Sequence, residues 1–171
     1  MALSKIQADS MNLADTYAFT GTVTGAGGGI LGQVVQATTD TAVNVASTSY
    51  TNTGLSVNIT PTATTSKILV QVNQNVLTDI DTQLGNSRLQ LRRDSTSVIT
   101  FGANIARIEA SDVGAVKFGN LTTFSYLDSP NTTSQVTYST RGAISNTANN
   151  GTARFQNSSV FSVITVMEIL A

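Results

Sequence analysis

Two carboxylate pairs are the residues of this chain best suited to chemistry. Asp79 and Asp81 bracket Ile80, and Glu109 and Asp112 lie close together in a polar stretch. Paired carboxylates shuttle protons between acid and base, or contribute to the roughly six to eight oxygens that calcium takes. Neither pair sits in a loop with further acidic ligands, so both read as solvated turns. A third candidate is Gly27-x-Gly29-x-x-Gly32, which has the spacing of a dinucleotide fingerprint. That fingerprint needs a strand before it, a helix opening at its last glycine, and an acid about twenty residues on. Here the following Gln33–Thr39 is strand-like and no acid stands near position 50. The run reads as a flexible joint.

What the chain lacks narrows the field further. It has no His, Cys or Trp. Ser-His-Asp and Cys-His catalysis, imidazole and thiolate zinc sites, and disulfide frameworks are therefore out of reach. Glycoside hydrolysis wants positioned carboxylates in an aromatic-lined cleft. Four Tyr and six Phe give little of that surface. The formal net charge is -1 and the longest basic run is Arg92-Arg93, so no field gathers nucleic acid. The longest apolar-rich run, 160–171, is interrupted by Ser162, Thr165 and Glu168, far short of the ~20 residues of a spanning helix. Residues 1–15 carry Lys5, Asp9 and Asp15 and show no signal-peptide core. Charged residues are only 11%, while Thr, Ser and Asn supply roughly a third of the chain, an excess over ordinary composition. The expectation is a non-enzymatic, surface-building protein with no cofactor, no metal site, no nucleic-acid partner and no membrane insertion.

A chain of 171 residues builds one domain with a real core. Residues 1–29 form a polar arm ending in Gly25-Ala-Gly-Gly-Gly29, and a glycine run of this kind marks a joint. The arm is too polar to fold alone; Leu3, Ile6, Met11, Leu13, Tyr17 and Phe19 are its apolar anchors for docking. Residues 30–171 read as strand after strand. Leu55, Val57 and Ile59 alternate with Ser56 and Asn58; Ile68, Val70, Val72 and Val76 alternate with Gln71, Asn73 and Asn75; Leu89 and Leu91 alternate with Arg88, Gln90 and Arg92. Turn chemistry punctuates them at Asn52-Thr-Gly54, Leu84-Gly-Asn86, Asp128-Ser-Pro-Asn131 and Asn149-Asn-Gly151. The reading is all-β: an antiparallel, jelly-roll-like two-sheet sandwich of about eight to ten strands behind an extended N-terminal arm.

The last strand breaks the alternation. Phe161, Val163, Met167 and Ile169 lie on one side, and Val160, Ile164, Val166 and Leu170 on the other. A strand apolar on both sides needs a cover on both sides. Either the arm or a loop supplies the second cover, or the same strand of symmetry mates does, which makes the chain a homo-oligomer. The candidate interface is Phe161, Val163, Ile164, Val166, Met167 and Ile169.

Several segments resemble known proteins. Tyr50-Thr-Asn-Thr-Gly-Leu-Ser-Val-Asn-Ile-Thr-Pro61, Ser66-Lys-Ile-Leu-Val70, Leu89-Gln-Leu-Arg-Arg93, Ser125-Tyr-Leu-Asp-Ser-Pro130 and Val163-Ile-Thr-Val-Met-Glu-Ile-Leu-Ala171 resemble the C-terminal head domains of tailed-phage virion proteins. The opening Ser10–Val23 is similar to segments of phage fibre proteins. The order of elements also resembles trimeric C1q/TNF-like jelly rolls, whose last strand lies near the threefold axis. The resemblance implies a trimeric component of the virion surface, assembled in the host cytoplasm. Its partners would be other virion proteins and, at a tip, a host surface receptor. Two placements stay open. One is a capsid decoration or cement protein on the major capsid protein, and the other is a short tail fibre or receptor-binding tip held by tail proteins. The chain has neither heptads nor repeats for a shaft, which favours decoration; a cellular binding module is the third reading.

Overall fold

The computed structural model describes residues 31–170 except 82 and 111–113. The arm, residues 1–29 with all six of its anchors, lies outside the described residues, as does Asp112. From Leu31 onward the chain is strand after strand: β1 (Leu31–Thr39), β2 (Val43–Val45), β3 (Thr51–Ile59), β4 (Lys67–Ile80), β5 (Gln83–Arg93), β6 (Thr96–Ala110), β7 (Val116–Asp128), β8 (Val136–Ile144), β9 (Thr152–Phe155) and β10 (Ser162–Ile169). Every pairing is antiparallel.

The strands form two sheets facing each other, in the expected jelly-roll-like sandwich. The smaller has the order β3-β8-β5-β6. The larger is built on β4. Along one edge of β4 runs β7, paired from Ile68 to Ile80. The other edge is shared end to end: β10 pairs with Lys67–Asn73 and β9 with Val76–Asp79. β1 then flanks β10, and β2 flanks β9. First and last strands thus lie side by side.

The alternation read from the sequence is the core. Leu55, Val57, Ile59, Ile68, Val70, Val72, Leu91, Tyr138, Ile164 and Val166 pack in one cluster between the sheets. Each such side chain contributes about 1.5–3 kcal/mol on leaving water. A second cluster collects Val45, Val76, Leu89, Ala106, Ile144, Ala153 and Phe155.

A buried polar layer of Thr53, Gln74, Thr140, Gln156 and Ser162 accompanies these clusters. Gln74 Nε2 donates to Thr53 Oγ1 at 2.9 Å, and the Thr53 and Thr140 hydroxyls meet at 2.5 Å. With its amide oriented to suit, Gln156 accepts from Gln74 Nε2 and Ser162 Oγ and donates to the Thr53 carbonyl. The layer sits where β9 hands the β4 edge over to β10. There Asn75 N donates to Ser162 Oγ at 3.0 Å, and the Asn75 carbonyl accepts from Gln156 N at 3.3 Å. Buried backbone groups require partners, and these side chains supply them across the gap.

Asp128, at the end of β7, ties the larger sheet to the smaller. Its Oδ2 accepts from Arg93 at 2.5 Å and from the Tyr138 hydroxyl at 2.6 Å. Burial first, and then the adjacent carboxylate, pushes the Tyr138 phenol well above its ordinary range.

Two expected turns are strand interior. Asn52-Thr53-Gly54 lies within β3, where the pairing with β8 slips between Asn52 and Ser56. Gly54 has φ 84 and donates to Asn52 Oδ1 at 3.0 Å. A bulge and a turn use the same Asn and Gly chemistry, so the local sequence does not separate them. Leu84-Gly85-Asn86 lies within β5, where a Cβ on residue 85 would stand 2.9 Å from Ile80 Cδ1. The other two turns do connect strands, with Asn131 and Asn150 at φ 53 and 59.

Gly142 on β8 lies directly under the Phe155 ring, and a Cβ there would fall inside it. Gly142→Ala is expected to destabilise the fold by about 3 kcal/mol, as overpacking does. Phe155→Leu in the same chain should recover part of that loss, both measured by chemical denaturation.

Candidate functional site

The outer face of the larger sheet carries the strongest surface feature. Period-two geometry sends Ser162, Ile164, Val166 and Glu168 of β10 inward, all fully buried. Val163, Thr165, Met167 and Ile169 point outward and are half-buried. The six candidate interface residues therefore divide. Ile164 and Val166 are consumed by the sandwich's own core, because the smaller sheet already covers that side. Val163, Met167 and Ile169 remain on the surface, with Phe161, 62% exposed, just before the strand.

Neighbouring strands extend this surface. The register aligns Val34 of β1 with Met167, Met167 with Leu69 of β4, and Leu69 with Leu127 of β7. Four strands at about 4.8 Å spacing make this an apolar row roughly 14 Å long between its end residues. Val34 and Leu127 are about half exposed, at 54% and 48%. Leu31 opposite Ile169 lengthens it toward the strand ends. The next row is polar: Gln36, Thr165, Gln71 and Ser125. Gln36 Nε2 donates to Thr165 Oγ1 at 2.9 Å, and Thr123 Oγ1 to Asn73 Oδ1 at 2.6 Å. Gln71, Asn73, Thr123, Phe124 and Ser125 line a shallow depression here. An apolar stripe bordered by hydrogen-bonding groups has the composition of an association surface.

Val34, Leu69 and Leu127 were not singled out from the sequence. Their signal was there: each is an apolar residue out of phase in an alternating strand, as in Ile68-Leu69-Val70. Counting off-phase apolar residues in every strand, rather than in the last alone, finds the row.

Among the described residues, the candidate carboxylates Asp79, Asp81 and Glu109 are each engaged in an ion pair or hydrogen bond. Asp79 is not in a solvated turn but buried near the end of β4. There its Oδ2 pairs with Arg154 at 2.5 Å and Lys117 at 3.6 Å. Asp81 accepts from Asn150 Nδ2, and Glu109 pairs with Arg107. Among the described residues no three His, Cys, Asp or Glu cluster to hold a metal. No described helix is long and apolar enough to cross a membrane.

No protein-family model matches the chain, and no curated protein does. Solved structures do. Over 82% of its length the chain is similar to a chain in the structure of infectious bursal disease virus Gx strain, at 14% identity and TM-score 0.38. The Gt strain matches over 81% at 16% identity and TM-score 0.35. A mutant VP2 protein of the same virus, in derived T=1 particles, matches over 81% at 15% identity and TM-score 0.31. The chain spans less than two-fifths of each of these, 37–38%.

Directly behind the row, Glu168 is sealed beneath it. Its Oε1 accepts from Thr62 N and Thr62 Oγ1, both at 2.7 Å, and its Oε2 from Gln33 Nε2 at 2.8 Å. Burial alone would raise its pKa. The Gln33 and Thr62 donors outweigh burial and hold it at about 2, below the ordinary 4.5. A depressed carboxylate stabilises the fold above its unfolded pKa, and that contribution fades as pH falls from about 4.5 toward 2. Glu168→Gln is expected to cost about 2 kcal/mol near neutral pH, because an amide nitrogen then faces donors. Denaturation curves of the two proteins should converge as the pH approaches the folded-state pKa.

Proposed function

We propose that the chain is a non-enzymatic structural protein of a tailed-phage virion, a homotrimeric capsid decoration protein whose head assembles through the outer face of the larger sheet. The apolar row Val34–Met167–Leu69–Leu127 carries this reading, because the described residues of one monomer leave it against water. Exposed apolar surface crossing four paired strands is what a second copy removes from water at about 25 cal/mol per Å². The strand order supports the reading too: β10 sits between β1 and β4, with its outward residues in the middle of the face. That is the layout the C1q/TNF-like resemblance implies for a strand near a threefold axis. Ion pairs and hydrogen bonds occupy Asp79, Asp81 and Glu109, which leaves the carboxylates to structure rather than catalysis.

Light scattering on the full chain is expected to give three times its 17.8 kDa. Met167→Asp places a charge in the middle of the row and should yield folded monomer, because the position is half-buried and outside the core. A monomeric unmutated chain at micromolar concentration would overturn the trimer.

The second half of the proposal is the arm. Residues 1–29, extended at up to ~3.3–3.6 Å each, reach on the order of 100 Å. Docking on the major capsid protein would bury Leu3, Ile6, Met11, Leu13, Tyr17 and Phe19. Deleting residues 1–29 is expected to leave a soluble, β-rich trimer that no longer joins the particle. Immunogold labelling of intact particles locates the full chain; label on the shell supports decoration, and label at the tail tip moves it to the receptor-binding placement.

A further inference from the structure

The smaller sheet presents a different exterior. Opposite the buried Leu89 and Leu91, β5 turns Arg88, Gln90 and Arg92 outward. The register sets Arg141 of β8 beside Gln90, between the two β5 arginines on the neighbouring strand. Arg88 and Arg92 are four residues apart, about 13 Å along the strand, with Arg141 about 5 Å to one side. Three guanidinium groups therefore share one small patch.

No carboxylate of the described residues neutralises them. The ion pairs there engage Arg93, Arg107, Lys117 and Arg154 instead. Asp94, in the hairpin after β5, accepts from Thr137 N at 2.9 Å. Arg92 donates through Nη2 to the Ser95 carbonyl. The Nε of all three arginines is buried and lacks an acceptor. With Nε covered, each guanidinium lies against the sheet; the terminal nitrogens of Arg88 and Arg141, and Nη1 of Arg92, remain to meet a ligand. Like charges held together without a counter-charge repel, and an anion across them relieves that repulsion.

We propose that this patch, centred on Arg88, Arg92 and Arg141, binds a carboxylated polysaccharide. The guanidinium fork fits a carboxylate bidentately. Between and beside the arginines the face offers Gln90, Asn52 and Ser139, amides and a hydroxyl suited to sugar hydroxyl groups. Leu84, 42% exposed, stands four residues before Arg88, but around the three arginines the outward residues of β3, of β8 and of β5 from Asn86 onward include no aromatic or large aliphatic side chain. Such an anchor is what a protein partner would need at its centre. Three charges on a chain of net charge -1 fall short of the phosphate contacts that sustain nucleic-acid binding. The patch lies on the sheet opposite the apolar row, so this binding is independent of the proposed trimer and of its place on the particle.

Electrophoresis of the full chain through native gels tests it. Polygalacturonate in the gel should retard the protein and added salt should weaken the effect, whereas uncharged dextran should do nothing. The Arg88→Gln/Arg141→Gln double variant should lose affinity by about tenfold or more. Thermal melting checks that it remains folded. Should it not fold, the single variants Arg88→Lys and Arg141→Lys keep the charge and lose the fork, and each should weaken binding several-fold. An unretarded full chain, or variants that bind as well as the original, overturns the proposal. Polyglutamate binding as tightly as polygalacturonate also overturns it, in favour of an acidic polypeptide.

Discussion

Everything in the larger sheet follows from how the backbone of β4 is satisfied. One strand covers one of its edges completely, but two strands share the other and leave a gap at Gln74 and Asn75. A buried gap in a ladder leaves donors and acceptors without partners, each worth about 1–3 kcal/mol if orphaned. The chain closes it with side chains. Ser162 takes the Asn75 N–H, Gln156 N reaches the Asn75 carbonyl, and Asn157 N donates to Asn75 Oδ1 at 3.1 Å. To do so the segment leaves β9 through left-handed conformations at Gln156, Ser158 and Ser159. The excursion then returns in line, and β10 resumes where β9 stopped.

That arrangement decides what reaches the surface. Ser162 must point inward to meet Asn75, which fixes the phase of β10: even-numbered residues enter the core and odd-numbered ones leave it. Glu168, six residues on, is then forced inward at the far end of the strand. Its carboxylate finds Gln33 and Thr62 there, joining β1 and the loop after β3 to β10. A buried carboxylate without a cation survives because several donors converge on it. With β1 held against β10, Val34 comes into line with Met167, and the apolar row is complete.

The sequence showed the sandwich well, and for a plain reason. Leu55, Val57, Ile59, Ile68, Val70, Val72, Leu89 and Leu91 alternate because one side of each strand is buried, and alternation is local information. It also showed that β10 is apolar on both sides. It did not show which side faces inward, since Ile164 and Met167 are equally apolar; the phase is set by Ser162 and Asn75, 87 residues apart. Asn52-Thr-Gly54 and Leu84-Gly-Asn86 misled for the same reason. Asn and Gly announce an unusual backbone or a close approach, and the chain uses them for a bulge and for packing against Ile80. The Arg88–Arg92–Arg141 patch was invisible as a run, because Arg141 joins the other two only through strand pairing.

The two exteriors share out a small supply of charge in opposite ways. Charged residues are 11% of the chain, so each one left unpaired on a sheet face is conspicuous. Along the larger sheet, Asp79 is matched by Arg154 and Lys117 near one end, while the apolar row occupies the other, with the exposed Lys67 opposite Ile169 at its rim. An apolar surface keeps such a charge at its rim, where the ammonium stays in water, because an unpaired charge within it would have to be desolvated whenever the surface is covered. The smaller sheet keeps three arginines without carboxylate partners in the middle of its face, amid amides and hydroxyls. A face kept hydrated in the free protein loses little by its charges, and it gains from any anion that brings its own counter-charge. The same alternation that builds one core thus yields two outer faces with opposite solvation, one suited to being covered by apolar surface and one suited to remaining wet.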